Sequence, residues 1–397
     1  MSADSTSAGA LSANAMSVGA LSAGARPDGA QAVDVAVVGG GVIGLACAWR
    51  ARQRGSSVLV LESHAIGERC ASYVAAGMLA PISEVEFGEA GRRALELGLR
   101  SAELWPEFAA ELQRAAGIDV GLRRSGTLLV ARDGDEAREL ERQLALRESL
   151  GLAVRRLRPS AVRELEPALA PGMRLALEAP EDHSVDPRRV LSALRRACEA
   201  AGVDLRERAA VAGVLLDGLD GGARGVVLAG GERIAARSVV LAAGAWTAGL
   251  EGLPAQARPA VRPVRGQILR LRDPAGPGLL GRVLRFEGGY LVPRGDGRYV
   301  LGATMEERDF EPRPTAGGVY ELLRQARELL PGVLELEIEE VSVGFRPATP
   351  DNAPAIGPAG VPGVVWATGH HRNGILLAPL TAALVADALA AAEAVPA

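Results

Sequence analysis

Apolar residues fill two short runs near the start of the chain, VDVAVVG at 33–39 and SVLVLE at 57–62. Both are rich in valine and too brief for a helix. They read as parallel strands buried on both faces. Between them stand Gly39-Gly40-Gly41-Val42-Ile43-Gly44 and then the helical stretch LACAWRARQRG, which ends at Gly55. Strand, G-x-G-x-x-G turn, helix, strand and terminal acid follow in the order of a dinucleotide-binding unit. Gly39 permits the tight turn, Gly41 lets a pyrophosphate approach the backbone, and Gly44 lets helix and strand pack closely. Val42 and Ile43 open the helix, where unpaired N–H groups face a phosphate. Glu62, followed by Ser63, can accept hydrogen bonds from both ribose hydroxyls. The unit by itself leaves FAD and NAD both open.

Later patterns change character. VRGQILRLR (264–272) and RYVLGAT (298–304) alternate, as strands of an antiparallel sheet do. VVLAAGAWTAGL (239–250) reads as a buried strand, a glycine turn and a short helix. Residues 287–310 read as two strands joined around Gly295 and Gly297. A helix is expected from Asp186 as N-cap, through Pro187 in its first turn, to about Ala201. The stretch 92–112 is amphipathic and is expected to pack on the antiparallel sheet. The fold class is therefore α/β: a Rossmann-like dinucleotide-binding domain interleaved with an α+β substrate domain on an antiparallel sheet. The expected division gives 33–90, 180–255 and 340–393 to the first. It gives 91–179 and 256–339 to the second.

Composition narrows the function. The chain has 397 residues, 48% hydrophobic and 23% charged, with a net charge of −4 and a pI near 5.8. Nothing in that balance suits nucleic acid or an anionic membrane. There is no lysine, which excludes a lysine Schiff base. Cys47, Cys70 and Cys198 show no metal-ligand spacing and fit reduced thiols in a cytoplasm. With the four histidines forming no Cys/His cluster, no metal is expected. Residues 1–31 are Ala/Ser/Gly-rich, with SAGALSANA (7–15) nearly repeated as SVGALSAGA (17–25). They are expected to be a disordered tail or an over-extended start, with Met16 as an alternative initiator. A secretory signal is disfavoured for want of a basic start and an unbroken apolar run. The nearest approach to a membrane span, Ile375 to Val385, is cut short by Asp387.

After Glu62 the chain continues with ERCASYVAAGMLAP (68–81), small, apolar and aperiodic, instead of further βα units. Here it resembles the glycine-oxidase branch of the D-amino-acid oxidase family. The matching pieces are Ala75-Ala76-Gly77-Met78-Leu79-Ala80-Pro81, then 239–250 and 287–310. GFRPATPDNAPAIG (344–357) and ATGHHRNGILLAPLTAALVADAL (367–389) complete the signature. The resemblance runs from about Val33 to Leu389. It implies FAD, held without a covalent bond, since the last cysteine is Cys198 and the sarcosine-oxidase relatives attach through a later one. Attachment through a histidine stays open. It places Ala71, Ser72, Ala76, Gly77, Met78, Val211 and Gly244 beside the cofactor. It also places there the turn His370, His371, Arg372, Asn373, Gly374 and on to Ile375 and Leu376.

The resemblance further implies a substrate site. Arg346 would clamp a carboxylate with two parallel hydrogen bonds, a geometry suited to guanidinium. Its plainer reading is a surface ion pair. Tyr290 would contact the same carboxylate, Arg372 would be a second arginine near the substrate, and Met305 would line the wall. A helix N-terminus at 370–374 favours negative charge on the flavin ring. The family has a histidine two residues before the pocket tyrosine; this chain has Gly288, which would enlarge the pocket.

The implied activity is oxidation of glycine by O2 to glyoxylate, ammonia and peroxide through an imine, with the imine feeding thiazole synthesis for thiamine. The implied assembly is a homo-oligomer, commonly a tetramer. The alternatives are a D-amino-acid or sarcosine/proline oxidase or dehydrogenase, an NAD-dependent dehydrogenase, and a flavoprotein without catalysis.

Overall fold

A computed structural model describes residues 32–218 and 221–393. The expectations for residues 1–31 lie outside the described residues. The first sheet runs, edge to edge, Ala355–Pro358, Val364–Thr368, Arg233–Leu241, Val33–Val38, Val58–Leu61 and Asp204–Arg206. Its strands are parallel except the first pair. Period-two alternation divides its two faces. Val35, Val37, Val58 and Val60 meet the helices Val42–Gln53, Pro187–Ala201 and Gly374–Glu393. Val38, Leu59 and Leu61 meet a small antiparallel meander, Val211–Leu216 with Ala223–Leu228. The helix Pro187–Ala201 starts as expected. The Asp186 carboxylate accepts from the N–H of Arg188 at 3.0 Å and of Arg189 at 3.5 Å.

The second sheet runs Glu337–Ala348, Arg262–Arg272, Arg298–Gly302, Gly289–Pro293, Val283–Phe286, Thr127–Ala131, Leu175–Ala179 and Arg155–Leu157. It is antiparallel but for one pair, Val283–Phe286 beside Thr127–Ala131. Leu269, Leu271, Leu291 and Leu301 point to the helix Ala316–Leu329. Ile268, Tyr290, Val292 and Val300 point the other way, onto Val74, Ala76 and Met78 of the aperiodic segment.

One expectation holds only in part. The amphipathic helix, observed as Gly88–Ala116, meets the antiparallel sheet only at its edge, where Leu99 packs against Leu129, Ala131, Leu175 and Leu177. Its Trp105, Phe108 and Leu112 enter the core of the parallel sheet's helices. Phe108 meets Trp49 edge-on at 5.8 Å. Gly88–Ala116 is fastened there to the helix Gly374–Glu393, which carries Pro379. Proline lacks an N–H and disturbs the ladder around it. Ser101 Oγ and Trp105 Nε1 donate to the Leu376 carbonyl there, at 2.7 and 2.9 Å. This C-terminal helix is also longer than the apolar run suggests. With mean hydropathy 2.0 over Gly374–Ala392, it is long and apolar enough to cross a membrane. Ala378, Ala382 and Val385 on it are fully buried among the helices Val42–Gln53 and Gly88–Ala116.

Candidate active site

The G-x-G-x-x-G turn is built from three different demands. Gly39 has φ +109°, and a Cβ there would lie 2.5 Å from the Ala242 carbonyl oxygen. A Cβ on Gly44 would collide with the Gly39 carbonyl oxygen. Both glycines are therefore required by the protein itself. Gly41 differs: a Cβ would meet only Ser72 Oγ, at 3.6 Å. Ser72 also accepts a hydrogen bond from the Val42 N–H, at 3.2 Å. It thus satisfies one of the orphan donors at the helix start. Glu62 accepts from Gly40 N–H at 2.7 Å, Ser63 Oγ at 2.9 Å and His64 N–H at 3.1 Å.

A cavity of about 880 Å³ begins at this turn and extends to Arg346. Such a volume sits at the upper end of the range for ligand sites. Of the residues expected to touch a cofactor, Gly39, Gly41, Val42, Ile43, Glu62, Ser63, Ala71, Ser72, Ala76, Gly77, Met78, Val211, Gly244, His370, His371, Arg372, Gly374 and Ile375 line it. Gly44, Asn373 and Leu376 do not. Gly44 sits behind the turn, and Leu376 is turned toward Ser101 and Trp105. His370 is buried, and its ring is committed to Thr381, with Nε2 2.9 Å from Oγ1. Burial pushes its pKa down to about 3.

All four expected substrate residues, Tyr290, Met305, Arg346 and Arg372, line the far end. Arg346 rises from the strand Glu337–Ala348, and its Nη1 donates to the Thr304 carbonyl at 3.1 Å. Burial lowers the pKa of this guanidinium, with Arg372 adding to the effect, while Tyr290 and Glu84 oppose it. Burial raises the pKa of Tyr290, against the pull of Arg346. Met305 stands at the lip, 61% exposed. Arg372 is tied to Glu84 at 3.2 Å and to Glu86 at 2.8 Å.

Three residues of this end escaped the sequence. Arg285 and Glu84 face one another at 3.5 Å. Burial would push the Glu84 carboxyl up. Arg372, Arg285 and Arg346 overcome that and hold its pKa below the ordinary value. An acid in an aperiodic loop and an arginine in an alternating strand carry no local mark of a shared cavity. The third residue is Gln325. Its amide lies where a Cβ on Gly288 would fall, 2.5 Å from Oε1. The space expected from the missing histidine ring is thus partly taken up. His371 adds a neutral imidazole: burial, then Arg346 and Arg372, bring its pKa down to about 4. Its Nε2 is buried without a partner.

A glycine turn open at Gly41, helix donors aimed into the cavity and a ribose-type acid fit a dinucleotide whose ring reaches the arginine end. This chain belongs to the FAD dependent oxidoreductase family, whose profile matches residues 34–388. Its cofactor is FAD. The glycine oxidase of Geobacillus kaustophilus is 37% identical over 89% of this chain and 92% of that protein. Its crystal structure superposes with a TM-score of 0.83, 35% identity, and coverage of 91% and 95% of the two chains. The bifunctional protein ThiO/ThiG of Trichormus variabilis is 38% identical over 89% of this chain, but over 52% of its own length. The chain thus spans about half the length of those bifunctional relatives.

Proposed function

We propose that this chain oxidises glycine: glycine, O2 and water give glyoxylate, ammonia and hydrogen peroxide, through an imine. The observation that carries the reading is the pairing of Arg346 and Tyr290 at one end of a cavity that begins at the Gly39–Gly44 turn. The glycine turn, Ser72 and Glu62 would hold FAD along that cavity, where it would supply a two-electron acceptor for hydride from the substrate Cα. The protein's task is then positioning. Arg346 offers two parallel donors to the substrate carboxylate, and the Tyr290 hydroxyl adds a third. The Thr304 carbonyl fixes the guanidinium before substrate arrives. The helix beginning at Gly374 ends its N-terminus on the cavity wall and favours negative charge placed there. Hydride leaves from the neutral amine, so the ammonium of the bound zwitterion first gives up one proton to solvent, and no strong base is needed at the Cα–H.

We further propose that the imine is delivered to thiazole synthesis for thiamine. The likeness to ThiO/ThiG supports this. Cys47, Cys70 and Cys198 are all free, which suits a cytoplasmic setting. The assembly we propose is a homo-oligomer. The division we propose gives the parallel sheet to an FAD-binding domain and the antiparallel sheet to a substrate domain; the strand Glu337–Ala348, most of which the sequence division placed with the first, belongs to the second sheet.

The test is anaerobic mixing of FAD-loaded protein with glycine, sarcosine, D-alanine and D-proline. Glycine is expected to bleach the flavin absorbance, and air to restore it with release of peroxide. Bleaching by D-proline alone, or no bleaching by any of the four, overturns the reading.

A further inference from the structure

We propose that Glu84 is the receptor for the substrate's ammonium group and so selects amino acids over other small carboxylates. This rests on the oxidase reading above. An amino acid enters as a zwitterion, and Arg346 with Tyr290 accounts only for its carboxylate. A desolvated ammonium needs an acceptor of its own. Four carboxylates line the cavity: Glu62, Glu68, Glu84 and Glu321. Glu62 and Glu68 stand at the nucleotide end, where Glu62 already holds three donors. Glu321 is taken by Arg324 and Gln325, each at 2.7 Å. Glu84 remains, within the field of both Arg346 and Tyr290.

Its situation suits the role. The side chain is 11% exposed, so water does not satisfy it. Arg372 at 3.2 Å and Arg285 at 3.5 Å hold it charged and in place from two sides. Among the described residues neither contact is a hydrogen bond, and none other reaches its carboxylate. Lone pairs are left for N–H donors from a ligand. A carboxylate already fixed by two arginines loses little freedom when a third partner arrives.

The experiment compares glycine with glycolate, which carries a hydroxyl in place of the amine. With FAD-loaded protein, the Kd for glycine is read from the concentration dependence of anaerobic bleaching. The Kd for glycolate is read from perturbation of the flavin spectrum. Glu84→Gln is expected to raise the glycine Kd by about ten-fold or more, the worth of a charge-assisted hydrogen bond. Glycolate should bind as before or tighter. Glu86→Gln, which removes the other carboxylate from Arg372, should leave the ratio of the two constants unchanged. Glu84→Asp serves if Glu84→Gln fails to fold; it should weaken glycine more than glycolate. An equal shift for both ligands, or none for glycine, overturns the inference. A native protein that is not bleached by glycine overturns the oxidase reading itself, and this inference with it.

Discussion

Gly266 lies directly beneath the guanidinium of Arg346. A Cβ on Gly266 would fall 2.6 Å from Nη2 and 2.7 Å from Cζ. The two residues stand on neighbouring antiparallel strands, Arg262–Arg272 and Glu337–Ala348, with Val264 opposite Arg346. Gly266 has no left-handed backbone, so alanine suits its conformation. The damage of Gly266→Ala is therefore confined to the position of Arg346. We expect unchanged FAD content, a melting temperature within a few degrees of native, and kcat/KM for glycine reduced by about a hundred-fold. That is the scale on which a displacement near 1 Å acts. Steady-state peroxide assays with a flavin spectrum check it, and undiminished activity would falsify the placement of the clamp.

The nucleotide turn invites a paired comparison. Gly41→Ala adds a methyl that meets only Ser72 Oγ at 3.6 Å, so the fold tolerates it. The methyl instead occupies the space a pyrophosphate needs. Gly44→Ala drives its methyl into the Gly39 carbonyl and separates helix from strand. Gly41→Ala should purify as a folded, colourless protein that regains FAD weakly. Gly44→Ala should lose melting temperature before any question of FAD arises. Equal effects on folding from both changes would contradict the division of roles.

The strand-turn-helix-strand unit was legible because every part of it is local: buried valines, three glycines and Glu62 fall within thirty residues. Arg346, Tyr290 and Arg372 were legible only through the family's motifs, since nothing in GFRP or GYLVP alone announces a cavity. Glu84 and Arg285 could not be read, because their meaning lies in a 3.5 Å approach between residues 201 positions apart. The helix Gly88–Ala116 shows the limit of amphipathic pattern. Its stripe says that one face is buried, but not which sheet receives it. Ser101 and Trp105 find their acceptor in the Leu376 carbonyl, a partner the pattern does not contain.

The buried histidines set an acid limit on the fold. His370 and His371 have pKa values near 3 and 4, and burial lowers His183 as well. In the unfolded chain each titrates near ~6.5. Below that pH the unfolded state binds protons that the native state does not, so stability falls as pH falls. Asp182 acts in the opposite sense. Burial raises its pKa to about 6, so its contribution is full below ~3.9 and is lost as pH rises through 6. Three groups outweigh one, and melting temperature should fall steadily from pH 6.5 to 5. His370→Asn should flatten that slope. A melting temperature that holds level or rises over this interval, measured by calorimetry, would show that the histidines are not held neutral.

Gln325 governs the space beside Gly288. The turn there needs glycine on two counts: φ is +83°, and a Cβ would press on the Gln325 amide. The amide Nε2 donates to Glu321 at 2.7 Å, while Oε1 is buried without a partner. An unmet buried acceptor costs about 1–3 kcal/mol, so truncating it should not destabilise the protein. Gln325→Ala should therefore keep or raise the melting temperature. It also clears the cavity wall where a substrate larger than glycine would extend. We expect the kcat/KM ratio of D-alanine or sarcosine to glycine to rise several-fold. Gly288→Ala should act oppositely, losing stability to strain of about 1–3 kcal/mol and to the clash. The double change Gly288→Ala/Gln325→Ala should recover the part due to the clash and keep the part due to strain. If Gln325→Ala leaves the substrate ratio where it was, the amide plays no part in shaping the pocket.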